Sequence, residues 1–261
     1  MILKAISIFA ILLLIGCASD IATDPSEGEG EIRMRMIDSP TAAEAVVVVV
    51  NRVEVHAAGS DSTSGWVVVD DQPASYDLLE LRNGASAILG DARLKVGRYT
   101  QIRLILGAGS YVRVGGTNYD LEISSGFQTG VKLNHTFEIE ADQVYELYLD
   151  FDAERSVRLT GTAQYRLVPV IRVQAALVSG SISGNVLPAS AGASIWTTVG
   201  SDTVSTYAAA DGSFKLMALP EGSYTVTVES MSSAYVGGSF SGVVVARQQT
   251  TSMGTITLSS R

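Results

Sequence analysis

From residue 32 onward, apolar and polar positions either alternate with a period of two or gather in short β-branched runs. Both patterns predict strands rather than helices. Residues 46–50 are an unbroken valine run that leads into Asn51-Arg52-Val53-Glu54-Val55-His56, where Val53 and Val55 alternate with polar neighbours. Further strands are expected at 66–69, 99–106, 111–114, 131–139, 144–151, 156–159 and 166–173, separated by turn pairs such as Asn83-Gly84, Gly115-Gly116 and Ser125-Gly126. Only 42–45 and 76–81 suggest a helical turn or two. Many short strands at this spacing predict an all-β architecture built as a sandwich or barrel.

The texture changes near residue 175. From Gly180 the chain is poor in charge and rich in Ser, Thr, Gly and Val, with strands expected at 181–186, 193–199, 204–208, 214–217, 223–229, 242–246 and 254–258. This reads as two β-sandwich-like modules in tandem, residues 31–175 and 180–258, the second of about eighty residues, a comfortable sandwich size. Both carry the pattern L-x-x-G-x-Y-T, at Leu94 to Thr100 and at Leu219 to Thr225. The glycine permits a turn with positive φ, and the tyrosine can bury its ring while its hydroxyl reaches backbone.

The N-terminus has a different pattern. Lys4 and the apolar stretch 5–15 read as a signal peptide, too short to span a bilayer, which needs about 20 residues. It ends in Leu14-Ile15-Gly16-Cys17, which resembles the lipobox of bacterial lipoproteins. The resemblance implies removal of residues 1–16, lipidation of Cys17 and anchoring of the protein to a membrane by acyl chains. The alternatives are a secreted protein with a stray cysteine, or an apolar N-terminal helix. Cys17 is the only cysteine, so lipidation would leave the body without a thiol for catalysis or metal binding. By the same resemblance, Ala18 and Ser19 lack the aspartate that retains lipoproteins in the inner membrane, which favours the outer membrane; a single-membrane cell also fits. Residues 17–30 form a polar, acidic tether, spanning roughly 20 Å as a flexible coil.

Two further resemblances cover the body. Residues 30–175 resemble the DUF4382 family of extracytoplasmic domains. The carriers are Ile37-Asp38-Ser39-Pro40, Asp77-Leu78-Leu79-Glu80-Leu81-Arg82-Asn83-Gly84, the run from Gly97 to Leu104, the run from Leu149 to Val157, and Tyr165-Arg166-Leu167-Val168-Pro169-Val170-Ile171. That family brings no catalytic residues to carry over. Residues 180–258 resemble the carboxypeptidase regulatory-like domain, a transthyretin-like sandwich, through the run from Gly180 to Val186, Ala210-Asp211-Gly212-Ser213-Phe214, and the run from Leu219 to Val226. This resemblance implies a spacer or binding domain rather than a catalyst.

Composition narrows the function. Hydrophobic residues at 46% and charged ones at 17% suit a globular body, and a formal charge of −9 disfavours nucleic acid and anionic lipid as partners. No G-x-S-x-G, H-E-x-x-H, Walker or dinucleotide loop occurs, so the protein is expected not to be an enzyme. His56 and His135 read as exposed surface histidines, and Trp66 as core. No cofactor is expected, but Asp150, Asp152 and Glu154 would share one face of an extended strand and could coordinate calcium through oxygen ligands. Ion pairing with Arg155, Arg158 or Arg166 is the competing reading. Trp196 should face outward among Ser194 and Thr198, where it could stack on a sugar ring or a protein side chain. The sequence thus suggests a lipid-anchored binding or adhesion protein whose ligand is a glycan or a protein. A structural accessory subunit of an envelope assembly, or a hydrolase acting on an extracellular polymer, are the alternatives.

Overall fold

A computed structural model describes residues 28–39, 41–123, 129–161 and 164–261. The signal peptide, Cys17, nearly all of the tether and the Ser125-Gly126 turn lie outside them. The described chain is all-β and is built as paired sheets. The first sheet orders Ile171–Ala175, Val144–Asp152, Glu29–Ser39 and Ala87–Lys95. Glu29–Ser39 runs parallel to Val144–Asp152 and antiparallel to Ala87–Lys95, so it is hydrogen-bonded on both sides. The second sheet runs Val157–Leu159, Tyr165–Leu167, Thr117–Ile123, Tyr111–Val114, Ala45–Ala57, Gly97–Leu106 and Val131–Ile139. Trp66–Asp70 and Ala74–Asp77 also pair with Ala45–Ala57.

The long strand Ala45–Ala57 organises this sheet, and its register shift between Val50 and Arg52 explains its sequence. Val46, Val48 and Val50 point inward; past the bulge the phase changes, and Val53 and Val55 take over. They pack against Ile32, Met34 and Met36, and against Leu147, Leu149 and Phe151, in one core. Each such fully buried side chain contributes about 1.5–3 kcal/mol.

Residues 179–258 form a separate core. Ser213–Pro220, Ser179–Leu187 and Thr250–Thr257 make one sheet; Asp202–Tyr207, Ala193–Val199, Gly222–Ser230 and Gly238–Val245 make the other. Ile182, Ile195, Phe214, Leu216, Val226 and Val228 fill the space between them.

The shared L-x-x-G-x-Y-T pattern folds the same way twice. Tyr99 donates its hydroxyl to the Lys95 carbonyl at 3.1 Å, and Tyr224 donates to the Pro220 carbonyl at 2.7 Å. The glycines differ: Gly97 has φ +142°, whereas Gly222 is not in the left-handed region.

Several elements depart from the sequence expectation. Residues 87–95 form a strand that alternation did not suggest. The stretch expected at 166–173 is split around Pro169 into two strands belonging to different sheets. The helical expectation at 76–81 shrinks to a 3-10 turn, Leu78–Glu80, capped by the Asp77 carboxylate. At 42–45 there are bends, with the strand beginning at Ala45.

The two cores meet through polar contacts. The Asn83 amide mimics a strand edge: its Oδ1 accepts from the Lys215 backbone N–H at 2.6 Å, and its Nδ2 donates to the Ser213 carbonyl at 3.2 Å. Arg172 donates to the Ala218 carbonyl at 2.9 Å, Arg155 lies 3.4 Å from Asp202, and the Arg82 guanidinium sits over the Tyr207 ring.

Candidate functional site

Trp196 occupies the middle of Ala193–Val199, an inner strand of its sheet. Alternation sends Ala193, Ile195 and Thr197 into the core, and the Thr197 hydroxyl donates to the Thr225 carbonyl at 2.8 Å. Trp196 is therefore on the opposite, outer face with Ser194 and Thr198, and it is half-buried. Its cross-strand partners are Ser205 on one side and Thr227 on the other, and Thr227 in turn pairs with Ser239 at 3.0 Å between hydroxyls. The indole thus stands in a cross-strand row, Ser205, Trp196, Thr227 and Ser239, one residue from each of four strands. Among the described residues no aromatic or cationic side chain covers it.

The acidic triad is arranged differently from a single strand face. Val144–Asp152 ends at Asp152, and Ala153–Ser156 turns into one helical turn, so Glu154 leaves the strand. Glu154 instead accepts from the Thr41 hydroxyl at 2.6 Å. Asp152 caps that turn through the Arg155 N–H. Asp150 is buried and pairs with Arg172 at 2.8 Å, an arginine outside the three considered for it. Burial pushes the Asp150 carboxyl up, and the Arg172 charge pulls it back. Asp150 and Asp152 line a cavity of about 50 Å³ together with Asp202, Arg155 and Arg172. Among the described residues no group of three His, Cys, Asp or Glu side chains is placed to hold a metal ion.

Asp38 was not singled out by sequence reasoning. It continues the inward phase of Ile32, Met34 and Met36, an acid where the pattern calls for an apolar residue, and this was the available signal. One of its oxygens accepts from the Ala153 N–H at 3.0 Å, while Oδ2 is buried without a partner. Burial raises its pKa well above the ordinary carboxylate value, helped by the nearby Asp150 charge.

Both histidines and the other tryptophan also differ from expectation. His56 is buried, not exposed, with Nε2 2.9 Å from the Asp61 carbonyl and its ring edge-on to Trp66. His135 is partly buried, its Nε2 has no partner, and desolvation lowers its pKa. Trp66 is on the outer face of its sheet rather than in the core, with the Arg103 guanidinium 4.0 Å from its ring centre. Arg103 is itself held by Glu54 through two of its nitrogens. This cluster saturates its own charges and stacks on its own tryptophan, so it leaves little to offer a ligand.

A family model described as a domain of unknown function, DUF4382, matches residues 29–169, more than half of the chain. The chain belongs to the DUF4382 family. The DUF4382 region thus contains Asp38, Asp150, Asp152, Glu154 and the Trp66 cluster, while Trp196 lies beyond it. No curated protein matches. Among solved structures, the Bacillus anthracis TIE protein overlaps with 14% identity, 89% of this chain, 34% of its own and a TM-score of 0.25. The shaft pilin spaA from Lactobacillus rhamnosus GG gives 8% identity, 90% and 98% coverage and a TM-score of 0.27. The minor pilin GBS52 of Streptococcus agalactiae gives 11%, 90%, 96% and 0.26. Scores this low establish no common fold. The chain spans about a third of the TIE protein's length.

Proposed function

We propose that this DUF4382 chain is a lipid-anchored, non-catalytic binding protein of the cell envelope, and that its Trp196 face engages a glycan. The observation that carries the reading is the half-buried indole on an outer sheet face, stacked on by no aromatic or cationic side chain among the described residues and set among Ser194, Thr198, Ser205 and Thr227. A flat aromatic surface stacks on the apolar face of a sugar ring, and the surrounding hydroxyls can exchange hydrogen bonds with its rim. In this reading residues 17–30 are the lipidated end and tether, residues 31–175 the DUF4382 module, and residues 180–258 a carboxypeptidase regulatory-like module. The lipobox-like Leu14-Ile15-Gly16-Cys17 supports an anchor, and the missing aspartate after Cys17 supports the outer membrane. No helix among the described residues is long and apolar enough to cross a membrane, so lipid at Cys17 is the attachment this reading relies on.

A non-catalytic role is supported by how the titratable groups are used. Asp150 is paired by Arg172, and His56 is bonded to the Asp61 carbonyl. None of them converges with a serine hydroxyl in the manner of a nucleophile and its base. The test is a glycan array probed with the full chain in detergent, wild type beside Trp196→Ala. Saturable binding to one glycan class, weakened at least tenfold by the variant, is expected; an array silent for the wild type removes the glycan reading.

A further inference from the structure

We propose a second binding site, at the mouth of the junction between the two cores, that takes a basic, leucine-rich stretch of extended polypeptide. None of its lining residues belongs to the sheet that carries Trp196, and it stands independently of the glycan reading.

A groove of about 490 Å³ lies between the start of Val144–Asp152, the end of Val131–Ile139 and the linker residues Ala176 and Leu177, with Gln248 closing it from the second core. It shares Glu146, Ala176 and Gln248 with an adjoining chamber of about 270 Å³ lined by Ser181, Gln249, Thr250 and Met217. The larger space alone is in the range of ligand sites, and junctions between modules are where such sites recur. The two chambers follow each other along Val144–Asp152, past Glu146 and Tyr148, so the cavity is elongated. That shape suits an extended chain better than a compact molecule.

Apolar side chains stand exposed at the groove. Val144 is 53% exposed and Leu177 61% exposed, and both line it. Covering them removes apolar surface from water, which favours a partner with apolar side chains. The charges in the groove are unequal in availability. Arg33 is committed to Asp91 and Glu31, and Glu146 is committed to Arg35. Glu138 and Glu140 also line the groove, are exposed, and form no ion pair among the described residues. Lys215 lines the far chamber. Two uncommitted carboxylates beside exposed valine and leucine call for a partner with alternating cationic and apolar side chains. The hydroxyls and amides of Ser181, Gln249 and Thr250 can then pair with its backbone.

The experiment is calorimetry of the full chain in detergent against four probes: a capped octapeptide alternating lysine and leucine, its glutamate–leucine and lysine–serine counterparts, and spermine. Saturable one-to-one binding of the lysine–leucine peptide is expected. Glu138→Gln with Glu140→Gln should weaken it at least tenfold, and Leu177→Ser should weaken it severalfold. All three substituted residues are exposed, so melting curves should superimpose on the wild type; Val144→Ser supplies a further variant of the apolar wall if one fails to fold. No binding, equal binding of the glutamate peptide, or full affinity in the glutamine variant overturns the site. Spermine or the lysine–serine peptide binding as tightly overturns its assignment to an apolar basic polypeptide.

Discussion

Asp38 buries a carboxylate oxygen with no hydrogen-bond partner, in a strand position that would otherwise hold an apolar side chain. Leaving a buried polar group unpaired costs about 1–3 kcal/mol, and more when it is charged. Because burial raises its folded-state pKa, the folded chain favours the protonated acid. The sign follows directly: stability is greatest below the ordinary carboxylate range and falls as pH rises through the raised value. Arg82 and Asp150 act on the same group, the first favouring the charged form and the second opposing it. Asp38→Asn keeps the acceptor for the Ala153 N–H and removes the charge. The variant should melt close to the wild type near pH 4 and above it near pH 8, the gap widening with pH in paired thermal scans. A gap that stays constant, or narrows, would show that Asp38 is not the titrating group. The valines and methionines around it were legible by alternation; the acid is anomalous only once the phase of its strand is known.

Among elements, the strand Ile171–Ala175 links the two cores through one side chain. Arg172 reaches back to Asp150 in its own sheet and forward to the Ala218 carbonyl in the next core. Removing one partner of a buried ion pair strands the other, at about 3–5 kcal/mol. Arg172→Ala should therefore cost that much in denaturant unfolding, and adding Asp150→Asn should recover a large part of it. Asn83→Ala, which removes the two hydrogen bonds to the Ser213 and Lys215 backbone at the same junction, should cost about 1–2 kcal/mol. Non-additivity between Arg172→Ala and Asp150→Asn is the measurable signature of direct coupling.

Other elements show why part of this architecture was hidden. Gly115 and Gly116 both adopt positive φ between the paired strands Tyr111–Val114 and Thr117–Ile123, so this hairpin could be read from its turn. Ala87–Lys95 could not, because Gly90-Asp91 interrupts it like a turn. Gly90 serves a different purpose there: a Cβ at that position would come within 2.9 Å of a Val69 methyl, so the glycine admits a neighbouring strand. Trp66 misled for a related reason. The valines after it suggest burial, yet Val67 and Val68 are 37% and 43% exposed, and only Val69 is inside. For the candidate sites, the outward face of Trp196 followed from period-two alternation. The partners of Asp150 did not, since Arg172 and Asp202 come from distant segments, and pairings of that kind leave no trace in local spacing.

At the scale of the whole molecule, the proposed attachment rests on Cys17, which lies outside the described residues. Under the proposed anchor, Cys17→Ser should block both lipidation and cleavage at Gly16-Cys17, so that the mature mass and the fractionation change. An unchanged mass and fractionation would remove the anchor from the proposal. The rest of the geometry concerns what such an anchor would hold. Glu31 is level with Val144, and Ala175 with Leu147, so Glu29–Ser39 begins and the connection to the second core departs at the same end of the first sheet. The second core then lies along Val144–Asp152, touching near Glu146 at one end and near Asp152 and Arg155 at the other. Nine strand residues are about 30 Å long. The two modules consequently form a bracket rather than a rod: the second lies beside the first sheet, so adding it broadens the molecule instead of extending it.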